Sequence, residues 1–229
     1  MSGNYFFMVI GAGWVTLQLA LAALLLAVLI GLLCALGKQS GARWLNYLIA
    51  PYTLLARGIP DLVLMLLVFY SLPALLNNGI ELAGGEYRVE FSPFTAGFVT
   101  LGFIFGAYMT ETFRNALTNI PYGEIEAAQA FGFSAGKTFY RIVLPQMIRL
   151  ALPGFTNNWL VLMKATALVS LLGLEDIMFR TRSAAESTGQ PFTFYLLAGA
   201  FYLAITLLSV LALRLLSKRY ALGVREVDL

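Results

Sequence analysis

Residues 14–36 read WVTLQLALAALLLAVLIGLLCAL, without one charged side chain. At 1.5 Å of rise per residue this stretch makes a helix about 34 Å long, slightly more than the roughly 30 Å hydrocarbon core of a bilayer. The charge-free run extends outward from there, from Met1 to Gly37. A cleaved signal peptide needs a basic start and an apolar core of only about 7–15 residues, so this segment is expected to be a retained membrane span. Of the 229 residues, 59% are hydrophobic and 12% charged, against roughly 45–50% and about 25% in soluble domains. A soluble protein of this length could not hide so much apolar surface, so the chain is an integral membrane protein.

Apolar runs mark five spans, at about 14–36, 48–76, 92–113, 155–174 and 192–216. The predicted fold is an all-α membrane protein of five helices, one domain over 1–229. The connections alternate in side, and the Lys/Arg bias orients them. Lys38, Arg43, Arg57, Arg114, Lys137, Arg141, Arg149, Lys164, Arg214, Lys218, Arg219 and Arg225 fall on one side; of the 15 basic residues only Arg88, Arg180 and Arg182 fall on the other. The N-terminus is therefore expected outside, the C-terminus in the cytoplasm, and the long connection 114–154 also in the cytoplasm. The acidic loop 77–91 (Glu81, Glu86, Glu90) fits the outer face, and Tyr5, Phe6, Phe7 and Trp14 read as an aromatic belt there.

The chain has no histidine and one cysteine, Cys34, in the first span. That excludes imidazole metal sites, Ser-His and Cys-His nucleophiles, histidine proton relays and an intrachain disulfide. The net charge of +3 is too small to argue for nucleic acid.

Residues 130–139, AFGFSAGKTF, resemble a nucleotide-binding loop. A phosphate loop needs four residues between its glycines and follows a strand. Here three residues separate Gly132 from Gly136, and the preceding EIEAAQA is built of helix formers. The stretch reads instead as two short helices about a bend. Gly132 ends the first, Ser134 caps the second, Phe139, Ile142 and Val143 share one face, and Pro145 stops it. Such an element either lies on the inner leaflet or docks into a groove on a soluble partner.

Glu126-Ala127-Ala128, Gly132, Ile142, Leu144 and Pro145 fit the pattern EAA---G---------I-LP, the cytoplasmic signature of bacterial ABC-importer permeases. The chain resembles that family over about residues 14–225. Arg57-Gly58-Ile59-Pro60, Ala151-Leu152-Pro153-Gly154 and Lys164 to Ser170 look like the polar amino-acid importers. DLVLMLLVFY, TETFRNAL, VSLLGLED and RYALGV look closest to the permease subunits for basic amino acids, the histidine/lysine/arginine/ornithine system first and the arginine importer next. The resemblance implies a type I importer transmembrane domain whose loop forms coupling helices, with Glu126, Ala127, Ala128, Gly132, Phe139, Ile142, Leu144 and Pro145 toward the ATPase. It implies a non-catalytic pore subunit with no cofactor of its own. Its partners would be a dimeric ATPase that holds ATP and Mg, a second permease (similar or identical) and a periplasmic amino-acid-binding protein. Its location would be the bacterial inner membrane.

Charges inside a span cost roughly 2.5–3.5 kcal/mol each and need a reason. Two readings stand for Arg57, Asp61, Glu111 and Arg114. They pair internally, Arg57 with Asp61 and Glu111 with Arg114. Or Asp61 and Glu111 supply a negative field for a cationic substrate, while Arg57 and the broken backbone before Pro60 meet its carboxylate. Lys164 either snorkels to the cytoplasmic interface or pairs with a neighbouring span. Asn157 and Asn158 read as helix-packing or entrance residues. The alternative function is a stand-alone carrier using Asp61 and Glu111 for ion coupling.

Overall fold

The computed structural model describes residues 2–220, all the regular structure of which is helical. Eight continuous helical segments follow one another. They are α1 (Ser2–Gln39), α2 (Arg43–Gly58), α3 (Asp61–Leu82), α4 (Pro93–Thr118), α5 (Tyr122–Ala130), α6 (Ala135–Leu172), α7 (Ile177–Thr188) and α8 (Pro191–Tyr220). Five of them, α1, α3, α4, α6 and α8, are long and apolar enough to cross a membrane. Arg225 and the end of the RYALGV stretch lie outside the described residues.

The centre of the fold is α4, with α1 running parallel along it and α6 antiparallel. Gly102 and Gly106, one turn apart, permit the α1–α4 approach: a Cβ at Gly102 would lie 2.4 Å from Leu26 Cδ2, and one at Gly106 would lie 2.9 Å from Ile30 Cγ2. With little hydrophobic drive between helices in lipid, such small-residue seams let dispersion and close packing hold spans together. Leu19, Ala23, Leu101, Phe105, Met109, Leu162 and Met163 fill the resulting core. A smaller cluster of Val9, Ile177, Ala184 and Phe194 joins α1, α7 and α8. Tyr5 packs there edge-on against Phe194 at 6.5 Å, whereas Phe7 and Trp14 are exposed, as belt residues should be.

Three expectations about the elements require correction. The span placed at 48–76 runs instead over Asp61–Leu82, beyond the break expected before Pro60, where Ile59 and Pro60 are extended and Pro60 has no N–H for the carbonyl of Ala56. The span placed at 155–174 begins instead at Ala135, since Pro145 does not end its helix. A wide turn at Phe139–Val143 comes first, in which Leu144 N–H bonds to Phe139 O. That i→i+5 turn skips a carbonyl just where proline lacks a donor. The same device occurs in α3, with a wide turn at Leu67–Ser71, then Leu72 and Pro73. Third, Lys164 stands two turns from the Leu172 end of α6, exposed and with no ion pair among the described residues. The early start of α6 moves it away from the end where the sequence placed it.

Asn77 closes the loop after α3, accepting from Val89 N–H at 2.7 Å and donating to Val89 O at 3.0 Å. Beyond α6, Gly173 takes φ 90° and Asp176 caps α7 by accepting from Phe179 N–H at 2.9 Å.

Candidate functional site

The α5–α6 bend is built from local rules. Gly132 takes φ 79°, and Phe133 N–H reaches back to Ala128 O at 3.0 Å, so the last carbonyls of α5 are satisfied by a glycine-dependent stop. Ser134 then accepts from Lys137 N–H at 3.4 Å and starts α6. Lys137 Nζ stands 4.5 Å over the Phe133 ring, and the segment before the GKT is a helix, not a strand. Of the residues read as coupling positions, Glu126, Ala127, Gly132 and Pro145 are exposed, Ala128 is buried, and Phe139, Ile142 and Leu144 are half-buried. Phe131, Tyr122 and Tyr140 are largely exposed beside them.

The membrane charges divide into two groups. Glu111 accepts from Lys38 Nζ at 2.6 Å and from Arg114 Nε at 3.1 Å. The Arg114 pair follows the i,i+3 spacing; the Lys38 pair joins α1 to α4 and has no local signal in the sequence. Arg57 and Asp61 do not pair. The i,i+4 geometry needs one continuous helix, and the break at Ile59–Pro60 separates them. Arg57 instead lies 5.3 Å from the centroid of Tyr108 and lines a cleft of about 350 Å³ with Thr53, Leu54, Gly58 and Tyr108. Asp61 opens α3, where the positive helix end favours a carboxylate, and no ion pair engages it among the described residues. The structure thus brings Glu111 to Lys38 and Arg114, and leaves Arg57 and Asp61 on either side of a broken helix.

Sequence reading missed Tyr108, whose ring faces Arg57, and Thr112, which binds α6. Asn158 is buried and donates to Thr112 Oγ1 at 3.0 Å, while Asn157 is exposed, so Asn158 is the packing residue of the two. The Gly102-x-x-x-Gly106 spacing was the available clue to the α1–α4 seam.

Outside the spans, burial pushes the carboxyl of Asp176 up to about 6, against the opposing backbone hydrogen bonds from Phe179 and Met178. Its second oxygen is buried without a partner among the described residues.

Residues 27–222 match the family described as binding-protein-dependent transport system inner membrane component. The chain belongs to this family. The permease is 52% identical over 215 residues to the histidine/lysine/arginine/ornithine transport system permease protein HisQ of Escherichia coli (strain K12), with 94% of each chain covered. It is 38% identical over 220 residues to the arginine ABC transporter permease protein ArtQ of Haemophilus influenzae, with 96% of each covered. Among solved structures, an amino acid ABC transporter crystallised with histidines is similar at TM-score 0.78 and 29% identity, over 94% of the permease and 95% of that chain. The inward-facing MetNI methionine ABC transporter shares the fold at TM-score 0.66 and 16% identity, over 96% and 99% of the two chains. Family membership sets aside the stand-alone carrier: the permease is an inner-membrane component of a binding-protein-dependent transporter.

Proposed function

We propose that the permease carries a basic amino acid inward, driven by a partner ATPase that docks on α5 and the start of α6. The observation that supports this most is the continuity of α6. One 38-residue helix runs from Ala135, beside the Gly132 bend, to Leu172. At 1.5 Å per residue it is about 57 Å long. A push on the exposed Phe131, Tyr122 and Glu126 surface passes across the Gly132 bend at Ala135 into one helix that runs unbroken to Leu172. ATP and Mg belong to the partner, and this chain supplies only the lever. Coupling-helix ends face the cytoplasm, the N-terminus of α1 faces the periplasm, and a periplasmic binding protein delivers substrate at that outer end. A second permease completes the pore.

The substrate reading rests on the break in the α2–α3 span. Asp61 supplies an unpaired carboxylate toward a cationic side chain, and Arg57 in its cleft beside Tyr108 meets the substrate carboxylate. Glu111, held by Lys38 and Arg114, contributes field more than contact. Names of the HisQ and ArtQ relatives support a basic amino acid. Proteoliposomes holding the assembled transporter, given ATP and binding protein, test this through Asp61→Asn. Uptake of labelled arginine should fall to background while the subunits still copurify; unchanged uptake would remove Asp61 from the path.

A further inference from the structure

We propose that one internal water molecule bridges Asp176 and Tyr202, accepting from the Tyr202 hydroxyl and donating to Asp176 Oδ2. Tyr202 is thereby a positioning residue for the turn between α6 and α7. The helices α1, α7 and α8 meet at this point. Thr16 Oγ1 on α1 accepts from Ile177 N–H at 3.2 Å. One turn earlier on α1, Gly13 presses so closely on α8 that a Cβ there would lie 2.5 Å from Phe201 Cε2. Thr16, Asp176 and Ile177 have no exposed surface, and Tyr202, next to Phe201, packs against both apolar clusters.

Asp176 Oδ1 caps α7, while Oδ2 is buried without a partner among the described residues. The Tyr202 hydroxyl is likewise buried without a partner, beside Thr166 and within electrostatic reach of the Asp176 carboxylate. A carboxylate oxygen accepts and a phenol hydroxyl donates, so the two suit each other, yet they do not touch. Buried polar groups are nearly always satisfied, and a complementary pair held beyond direct contact is the setting for a bridging water. Water suits the site better than a cation. A cation would be bound by the oxygens and leave the phenol proton without an acceptor, whereas water takes that proton and gives one to the carboxylate. Its second hydrogen is met by Thr166 Oγ1, which donates its own to Met163 O at 2.7 Å and keeps lone pairs free. That makes about three hydrogen bonds, the usual number for an internal water. Neighbouring charges are occupied elsewhere. Met1–Gly37 is charge-free, Glu175 is engaged by Arg180, and Lys164 is exposed.

Two measurements on the assembled transporter test this. A cryo-EM map that resolves ordered water should show one peak about 2.7–3.0 Å from both Asp176 Oδ2 and the Tyr202 hydroxyl. A hydroxyl in direct contact with the carboxylate, or separated groups with no peak between them, would overturn the proposal. The second measurement is the melting temperature against pH. Tyr202→Phe keeps the ring and removes the donor, so the ionised carboxylate loses its bridge and the folded protein binds the proton more tightly. The pH at which stability declines should move up from about 6 by about one unit, the worth of a hydrogen bond to a charged group. On an Asp176→Asn background the same change should leave melting independent of pH. A midpoint that stays in place in Tyr202→Phe would mean that Tyr202 only fills space, and would overturn its role. A melting temperature that rises when sodium replaces choline would put a cation in the site instead of water.

Discussion

Asn158 Nδ2 donates to Thr112 Oγ1 at 3.0 Å, joining α6 to α4 in the same turn at which Glu111 joins α4 to α1. One turn before Asn158, Gly154 lets Thr112 approach so closely that a Cβ there would lie 2.9 Å from Thr112 Cγ2. The lever that begins at the docking bend is thus fastened to the central helix at one level.

Removing either part of that fastening should loosen it. Thr112→Val leaves the buried Asn158 amide without its oxygen partner, at a cost of about 0.6–1.7 kcal/mol by the measured range for interhelical bonds in membranes. Gly154→Leu adds a branched side chain where even one carbon clashes, and overpacking of that kind costs about 1–3 kcal/mol. The melting temperature of the purified complex should therefore fall for both, and further for Gly154→Leu. ATPase activity that no longer responds to binding protein would accompany the loss.

The Lys38–Glu111 pair should show coupling in a double-mutant cycle. Lys38→Met leaves Glu111 with Arg114 as its one cationic partner and Glu111→Gln leaves the Lys38 ammonium without its carboxylate, so the two single changes should together destabilise by more than the double change does. Stability in detergent measures it. Additive effects would mean that the two groups do not act as a pair.

Asp176 makes stability depend on pH. Its folded value, raised to about 6, exceeds the 3.8 of the unfolded chain, so the folded state binds the proton more tightly. The resulting contribution is fully present below about 3.8 and is lost as pH rises through about 6. Its size is on the order of 2–3 kcal/mol, because each tenfold gain in proton affinity is worth about 1.4 kcal/mol. Asp176→Asn keeps a good helix cap and removes the titration, so the variant should melt at nearly constant temperature from about pH 4 to about 7 while the parent declines.

Gly132 tests the bend. Its φ of 79° lies in the left-handed region, which costs a β-branched residue about 1–2 kcal/mol or more. Gly132→Val should leave the spans folded, since they do not depend on the bend, but lower both ATPase retention on pull-down and transport. Normal transport by this variant would mean that the bend does not position the docking surface.

The membrane spans were legible because long apolar runs have few other uses, and the Gly132 bend was legible because glycine, Ser134 and the helix formers around them obey local rules. Pro145 misled for a physical reason: a wide turn placed just before it makes a proline compatible with a continuing helix, and nothing in the composition of Phe139–Val143 announces that turn. Arg57 and Asp61 have the spacing of a helical ion pair, yet Pro60, which breaks the helix between them, also abolishes the pair. Lys38–Glu111 and Thr112–Asn158 depend on how helices far apart in sequence are laid side by side, which local pattern does not encode.

The most direct measurement is a mild-detergent pull-down of the tagged permease from its own membrane, with every retained protein identified by mass spectrometry and the eluate assayed in liposomes. The expected result is a soluble ATPase carrying a complete Gly-x-x-x-x-Gly-Lys-Ser/Thr loop, and arginine uptake that requires ATP. A chain recovered alone that carries amino acid without ATP would contradict it.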